Sequence, residues 1–208
     1  MPAYVQPAYV LAVLAHPDEE SFCAALQQTF TSELDRSAEL PLQQISVNLY
    51  HEAFNPVMDL PELRRHLPID SPASSYLEKL QSCRELILFF PDWWGAEPAI
   101  LKGFFDRLFR QGIAYDREDS SGWEKGGSRG LLGNCALTLW ICSDSSGRQL
   151  EIGREQYYRR FHVLADYCGI PHINVHICSP LRGSPLKKRR AWLQECRESA
   201  RNIIQKYI

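Results

Sequence analysis

Three short stretches of the chain bring together residues that could do chemistry. In Ala15–Ser21 (AHPDEES) an imidazole, three carboxylates and a hydroxyl precede a segment in which Phe22, Ala25, Leu26, Phe30 and Leu34 recur near helical spacing. A helix opening at Ser21 would leave the N–H groups of its first turn unpaired at the positive end of the helix dipole. Those donors, with the Ser21 hydroxyl and a ring N–H of His16, could take a phosphate. No glycine-rich phosphate fingerprint is present. Asp18, Glu19 and Glu20 favour a helix N-terminus but would repel a phosphate unless turned away, and a plain capped helix start satisfies the same residues. The second stretch is Phe89–Arg107 (FFPDWWGAEPAILKGFFDR). Pro91 forbids regular pairing at the end of an apolar run, Gly95 permits a tight backbone, and Pro98 suits the first turn of a new helix. Trp93 and Trp94 stand between them, where they could carry a flat aromatic ligand, roof a core or make a dimer contact. The third stretch, Cys142–Leu150 (CSDSSGRQL), follows another apolar run with small polar residues and Gly147.

The elements that must position these stretches alternate between short apolar runs and longer helical patterns. Strands are expected at Tyr9–Ala15, Gln43–Leu49, Leu86–Phe90, Asn134–Ile141 and His172–Ile177. Helices are expected at Ser21–Leu34, Ser74–Cys83, Pro98–Phe109, Glu155–Cys168 and Pro185–Ile208. Five buried-type strands separated by helices imply an α/β fold, a parallel sheet covered on both faces. Ligands bind such sheets beyond the carboxyl ends of the strands, where strand order reverses. The three stretches all fall there.

Two segments interrupt the alternation, proline-rich Tyr50–Pro72 and the glycine- and charge-rich Gly112–Gly133, but neither resembles an interdomain linker. Residues 1–208 are therefore expected to form one domain, without internal repeats. At 208 residues and 45% apolar the chain can bury a substantial core. Its net charge of −2 gives no electrostatic case for a nucleic-acid partner, and the basic run Lys187–Arg190 is expected on the solvated face of the last helix. Seven cysteines show no C-x-x-C pair and no zinc spacing, which suggests reduced, small core residues in a cytoplasmic protein. The apolar run Ala8–Ala15 lacks a basic region before it and a small-residue cleavage site after it, so neither a signal peptide nor a spanning helix is expected there.

The string AHPDE resembles the AHPDDE stretch of the zinc-dependent N-acetylglucosaminyl deacetylases. In that family a His and an Asp hold zinc, another Asp serves as general base, and a further His completes the site. The late candidates His172 and His176 lie four apart in an expected strand, sharing a face but standing roughly 13 Å apart. They would not easily ligate one metal together, and no metal site is assigned.

The second stretch, with Leu101, Lys102, Gly103, Phe104, Phe105, Asp106 and Arg107, resembles the flavodoxin-like NAD(P)H quinone reductases, whose pattern is F-P-x-x-W-x-x-x-P-A-x-L-K-G-W-x-[DE]-R. Further matches follow in the family's order. They are Ala15, His16, Ser21 and Phe22; Asn48, Leu49 and Tyr50; Phe54, Asn55 and Pro56; Ile113, Ala114 and Tyr115; Gly130, Leu131 and Leu132; and Tyr167, Cys168, Gly169 and Ile170.

The resemblance implies a flavodoxin-like, doubly wound five-stranded sheet of order 2-1-3-4-5 with helices on both faces. It implies a flavin, FMN or FAD, with phosphate at His16, Ser21, Phe22 and Cys23. The isoalloxazine would lie beyond Pro91, against the backbone of Asp92, Trp93, Trp94 and Gly95, with Trp94 alongside. NADH or NADPH would deliver a hydride to flavin N5, and a quinone-like acceptor would collect it in a ping-pong cycle, with no side chain assigned as acid or base. A homodimer is also implied, with Tyr115 and Trp94 lining the substrate pocket.

One loop departs from the family. Where relatives carry T-T-G-G at the flavin's pyrimidine edge, this chain has Cys142, Ser143, Asp144 and Ser145, followed by Gly147. Asp tolerates a left-handed bend better than most residues, but its carboxylate would oppose an anionic reduced flavin. The Tyr and His that assist several quinone reductases fall here on Leu150 and Gln156; Tyr157, Tyr158 and His162 are near but out of step, and read as ordinary helix residues. Either Ser143, Asp144, Ser145 and Gly147 rebuild the flavin contact, or the chain is an inactive relative serving as an ancillary subunit of a membrane transporter, such as glutathione-gated potassium efflux.

Overall fold

The computed structural model describes residues 8–37, 39–65, 70–117 and 128–208. Its main sheet is parallel throughout, built from β1 (Tyr9–Leu14), β2 (Gln43–Asn48), β3 (Cys83–Pro91), β6 (Ala136–Cys142) and β7 (His172–Cys178). The strand order is β2-β1-β3-β6-β7, the expected 2-1-3-4-5 winding when only the main-sheet strands are counted. Successive side chains of a strand face opposite ways, which splits the apolar runs between two cores. Leu11, Val13, Leu86, Leu88 and Phe90 meet helices α3 (Ser71–Gln81), α4 (Ala99–Leu108) and α5 (Gly147–Cys168). Val10, Ala12, Leu14, Ile87 and Phe89 meet α1 (Phe22–Leu34) and α6 (Leu186–Tyr207) on the other side. Each buried Leu or Phe contributes about 1.5–3 kcal/mol, so both faces hold the sheet firmly enough to present fixed loop stems.

Several boundaries differ from the sequence expectations for identifiable reasons. Helix α3 starts three residues early, at Ser71, because Asp70 caps it by accepting from Ala73 N at 3.0 Å and Pro72 fits the first turn. Strand β3 keeps Pro91 in register with Cys142, contrary to the expected break. The N–H of Asp92 carries the ladder to Cys142 O at 2.7 Å, and Pro91's missing N–H falls on the side where β1 has already ended. Helix α5 starts eight residues early, at Gly147, since its first turns are exposed and show no apolar period. Three short elements were not expected: α2 (Leu60–Arg65) and the antiparallel pair β4 (Tyr115–Arg117) and β5 (Ser128–Gly130).

The LKG…R part of the second stretch is scaffold. A Cβ on Gly103 would sit 2.3 Å from Pro56 O, so only glycine lets α4 lie against the Phe54–Pro56 segment. Arg107, 1% exposed, reaches Glu62 at 2.9 Å, Asn55 O at 2.5 Å and the Asp70 carboxylate, with its guanidinium 5.4 Å from the Phe54 ring centre. One buried cation thus ties the proline-rich segment, α2 and the α3 cap to α4. No helix among the described residues is long and apolar enough to cross a membrane.

Candidate functional site

The strands β1, β3 and β6 end on one edge, and single backbone bonds carry each loop out beside its neighbour. Ala15 N donates to Phe89 O at 2.9 Å, Asp92 N to Cys142 O at 2.7 Å, and Ser143 N to Cys178 O at 3.1 Å. In the first loop Ser21 Oγ caps α1 by accepting from Ala24 N at 3.2 Å, while its own hydrogen stays free to donate. His16 Nδ1 lies 3.0 Å from Asp18 N and 3.1 Å from Asp18 O, so this edge of the ring is tied to Asp18 as acceptor from the one or donor to the other. The Asp18 carboxylate is turned back onto Glu20 N at 2.8 Å. His16, Ser21, Phe22 and Cys23 line a cavity of about 420 Å³ together with Pro91, Asp92, Trp93, Ser143 and Asp144. Helix geometry leaves the N–H groups of Phe22 and Cys23 without intrahelical acceptors at its wall.

The tryptophan pair is split by a tight reversal. Trp93 N donates to Ala96 O at 2.9 Å and Ala96 N returns to Trp93 O at 3.2 Å, with Trp94 at φ +60° and Gly95 at φ +78° between them. Two successive positive φ values are the signature of a type I′ turn. The Trp93 ring stays by the first cavity, 6.1 Å from the His16 ring. Trp94 is wholly exposed and borders a second cavity of about 570 Å³ with Gly95, Gln156, Tyr157, Arg159 and Arg160. Tyr115 lines a third cavity of about 410 Å³ with Phe105, Phe109, Arg160, Leu164 and Tyr167. The second and third cavities share Arg160 and Val163.

In the third loop, the Asp144 carboxylate accepts from Arg182 N at 2.6 Å and has Arg182 Nε 3.6 Å away. Its charge is answered by a cation that sequence spacing did not point to, because Arg182 comes 38 residues later, after β7. Ser143 Oγ accepts from Ser145 N at 3.1 Å and donates to Asp92 Oδ2 at 2.8 Å. Ser145, Gly95, Trp94 and Gly147 lie outside the first cavity. Gly147, at φ +52°, opens α5 instead. Tyr157, read from sequence as an ordinary helix residue, is buried and donates to Asp92 Oδ1 at 2.8 Å. Burial and the Asp92 charge push its phenol above the usual range, so it remains a donor. A signal for it existed only in three dimensions: Tyr157 begins the buried stripe of α5 where that helix passes the Trp turn. His172 and His176 line a cavity against α6, with His176 stacked on Trp140, and are not brought together with His16. Among the described residues no group of three or more His, Cys, Asp or Glu is placed to hold a metal ion.

Comparison with known proteins agrees with this architecture. A family model described as a flavodoxin-like fold matches residues 8–203. An uncharacterized NAD(P)H oxidoreductase, YcaK, of Escherichia coli is 33% identical over 115 residues, covering 53% of this chain and 57% of that protein. The match therefore spans little more than half the length of that relative. An uncharacterized NAD(P)H oxidoreductase of Haemophilus influenzae is 26% identical over 194 residues, covering 88% and 90% of the two chains. The crystal structure of Smu.1420 from Streptococcus mutans superposes with a TM-score of 0.80 at 25% identity, covering 93% of this chain and 99% of the other.

Proposed function

The chain belongs to the family of flavodoxin-like fold, and on that premise we propose that it is an oxidoreductase that binds a flavin, takes a hydride from NADH or NADPH and passes two electrons to a quinone-like acceptor. The observation that carries this is the cavity where β1, β3 and β6 end. His16, Ser21, Phe22 and Cys23 line it together, and the imidazole, the Ser21 hydroxyl and the first-turn N–H groups of α1 make a donor set suited to a phosphate. Trp93 and the Ser143–Asp144 backbone offer flat and polar walls for a ring system. Of the carboxylates that sequence flagged as repulsive, Asp18 and Asp144 line the cavity but are engaged there, Asp18 by Glu20 N and Asp144 by Arg182, and Glu19 pairs with His51. These residues fit the phosphate and ring of FMN or FAD.

When bound, the flavin supplies the hydride chemistry, accepting at one nitrogen and delivering to the second substrate. The protein's own residues bind and orient. The open first turn of α1 fixes the phosphate, and Pro91, Asp92 and Trp93 form the ledge. The exposed Trp94 offers a face to the substrate. The apolar third cavity, with Phe105, Phe109, Tyr115 and Leu164, supports a homodimer in which Tyr115 borders the shared site. All seven cysteines are free and buried, which supports a reducing, cytoplasmic setting. The test is the absorbance spectrum of the protein as purified and after addition of FMN or FAD, followed by NAD(P)H oxidation with a benzoquinone. A yellow protein with ping-pong kinetics is expected. A colourless protein that takes up neither flavin would sink the proposal and bring back the ancillary transporter subunit.

A further inference from the structure

Asp92 is the junction of three elements. Its Oδ1 accepts from Tyr157 Oη on α5 at 2.8 Å and from Gly95 N inside the Trp turn at 2.9 Å, and its Oδ2 accepts from Ser143 Oγ beyond β6 at 2.8 Å. Ser143 Oγ in turn accepts from Ser145 N at 3.1 Å, so the chain of bonds runs from the Trp turn into the loop where the glycines of relatives are missing. All three donors are neutral. The neighbouring carboxylates differ: Asp144 faces Arg182 and Glu97 pairs with Arg160, whereas among the described residues no cation pairs with Asp92. Asp92 also lines the first cavity, while Tyr157 lines the second.

We propose that Asp92 is a positioning residue of this site, which fixes the Trp turn to the Ser143 loop and holds an uncompensated negative charge at the wall of the cavity, so that it sets both the tightness of flavin binding and the flavin's reduction potential. This rests on the flavin proposal above. The two effects separate by substitution. In Asp92→Asn the carbonyl oxygen can keep the bonds from Tyr157 and Gly95, and the new NH2 can donate to Ser143 Oγ. The geometry survives and only the charge is lost. Asp92→Ala removes all three acceptor contacts.

The experiment combines amide exchange on the flavin-free protein with potentiometry and binding on the loaded one. In Asp92→Ala the Gly95 and Ser145 amides should exchange about tenfold faster, the loss of one hydrogen bond's net worth, and FMN should bind about tenfold more weakly. In Asp92→Asn affinity should stay near wild type while the flavin midpoint potential moves positive, because electrons added to the ring no longer meet a fixed anion. Tyr157→Phe, which keeps the buried ring, is the safeguard should Asp92→Ala fail to fold; it should also quicken Gly95 exchange and weaken FMN binding. Unchanged exchange in both Asp92→Ala and Tyr157→Phe would overturn the positioning role. An unmoved potential in Asp92→Asn would overturn the electrostatic one. A wild-type protein that binds no flavin would overturn the functional proposal and the electrostatic role, yet the exchange data would still decide whether Asp92 fixes the loop.

Discussion

Trp94 offers a sharp separation of stability from function. It is a non-glycine residue at φ +60°, wholly exposed, in a two-residue reversal whose second member is Gly95. A left-handed conformation costs an L-residue roughly 1–2 kcal/mol, and full exposure means the ring repays none of this by burial within the chain. Asparagine tolerates the region several-fold better, and Asn-Gly is the favoured pair for a type I′ turn. Trp94→Asn should therefore stabilise the flavin-free protein by about 1 kcal/mol, raising Tm by roughly 2–4 °C for a chain of this size. The same change removes the aromatic face from the second cavity, so the KM for a benzoquinone should rise while FMN content is unaffected. Calorimetry on the flavin-free protein and steady-state kinetics on the loaded protein check the two halves. A Tm that falls would refute the strain argument. A raised Tm with unaltered acceptor kinetics would refute the assignment of the ring to the substrate.

Other perturbations test the scaffold and the phosphate wall. Gly103→Ala places a Cβ against Pro56 O, a backbone atom that cannot swing away, and should cost about 1–3 kcal/mol in a denaturant melt. Arg107→Met deprives Asp70 of its cation and leaves the buried Glu62 to Arg110 alone, 3.3 Å away, and a loss of about 3 kcal/mol, the low end for a broken buried pair, is expected by the same measurement. Acid should act on two carboxylates, Asp70 and Glu33, the latter on α1 beside Arg201 of α6. Burial raises the Asp70 carboxyl, but the Ala73 N–H and Arg107 outweigh it and hold it below its ordinary value; the hydrogen bond from Arg201 lowers Glu33. Groups depressed by folding stabilise fully above the unfolded carboxylate range and cease to do so as pH falls through it, so melting should move to lower temperature below about pH 4. Arg107→Met should flatten that dependence, and an unaltered acid limb would contradict the assignment. Ser21→Ala removes the α1 cap, costing about 1 kcal/mol, and should weaken FMN binding in a fluorescence titration. Full affinity would remove Ser21 from the phosphate wall.

The covered parallel sheet was legible because burial on both faces leaves a mark, β3 and β6 being apolar over most of their length between helical patterns, whereas its 2-1-3-4-5 order came from the family resemblance. The loops of interest were legible for the same reason, since strand ends fix where ligands can sit. What escaped were features whose cause lies far away in sequence. The early start of α5 lacks a period because those turns face water. The short helix α2 is held by Arg107, which belongs to a helix some forty residues on. The pairing of β4 with β5 depends on strands too short to show alternation. Tyr157 and Arg182 were missed as partners of Asp92 and Asp144 because a hydrogen bond between residues 65 or 38 positions apart has no local spacing to read.

The loop after β6 shows how the same geometry can be reached by different means. Glycines let a backbone come close to a ligand by tolerating dihedral angles closed to other residues, and relatives of this chain are expected to use them there. Cys142, Ser143, Asp144 and Ser145 lack that freedom but carry side chains that fasten the loop: Ser143 to Asp92, Asp144 to the Leu181–Arg182 turn, and the Ser145 carbonyl to the Ser179 hydroxyl. Conformational tolerance is replaced by crosslinks. Such a loop is shaped before any ligand arrives, so less ordering entropy is lost on binding. The cost is that the shape is shared among partners on β3, α5 and the segment after β7. The departure from the family's glycines and the appearance of Asp92, Tyr157 and Arg182 around them are then one structural solution rather than separate oddities, which is why the bonds of Asp92 matter to a loop fifty residues away.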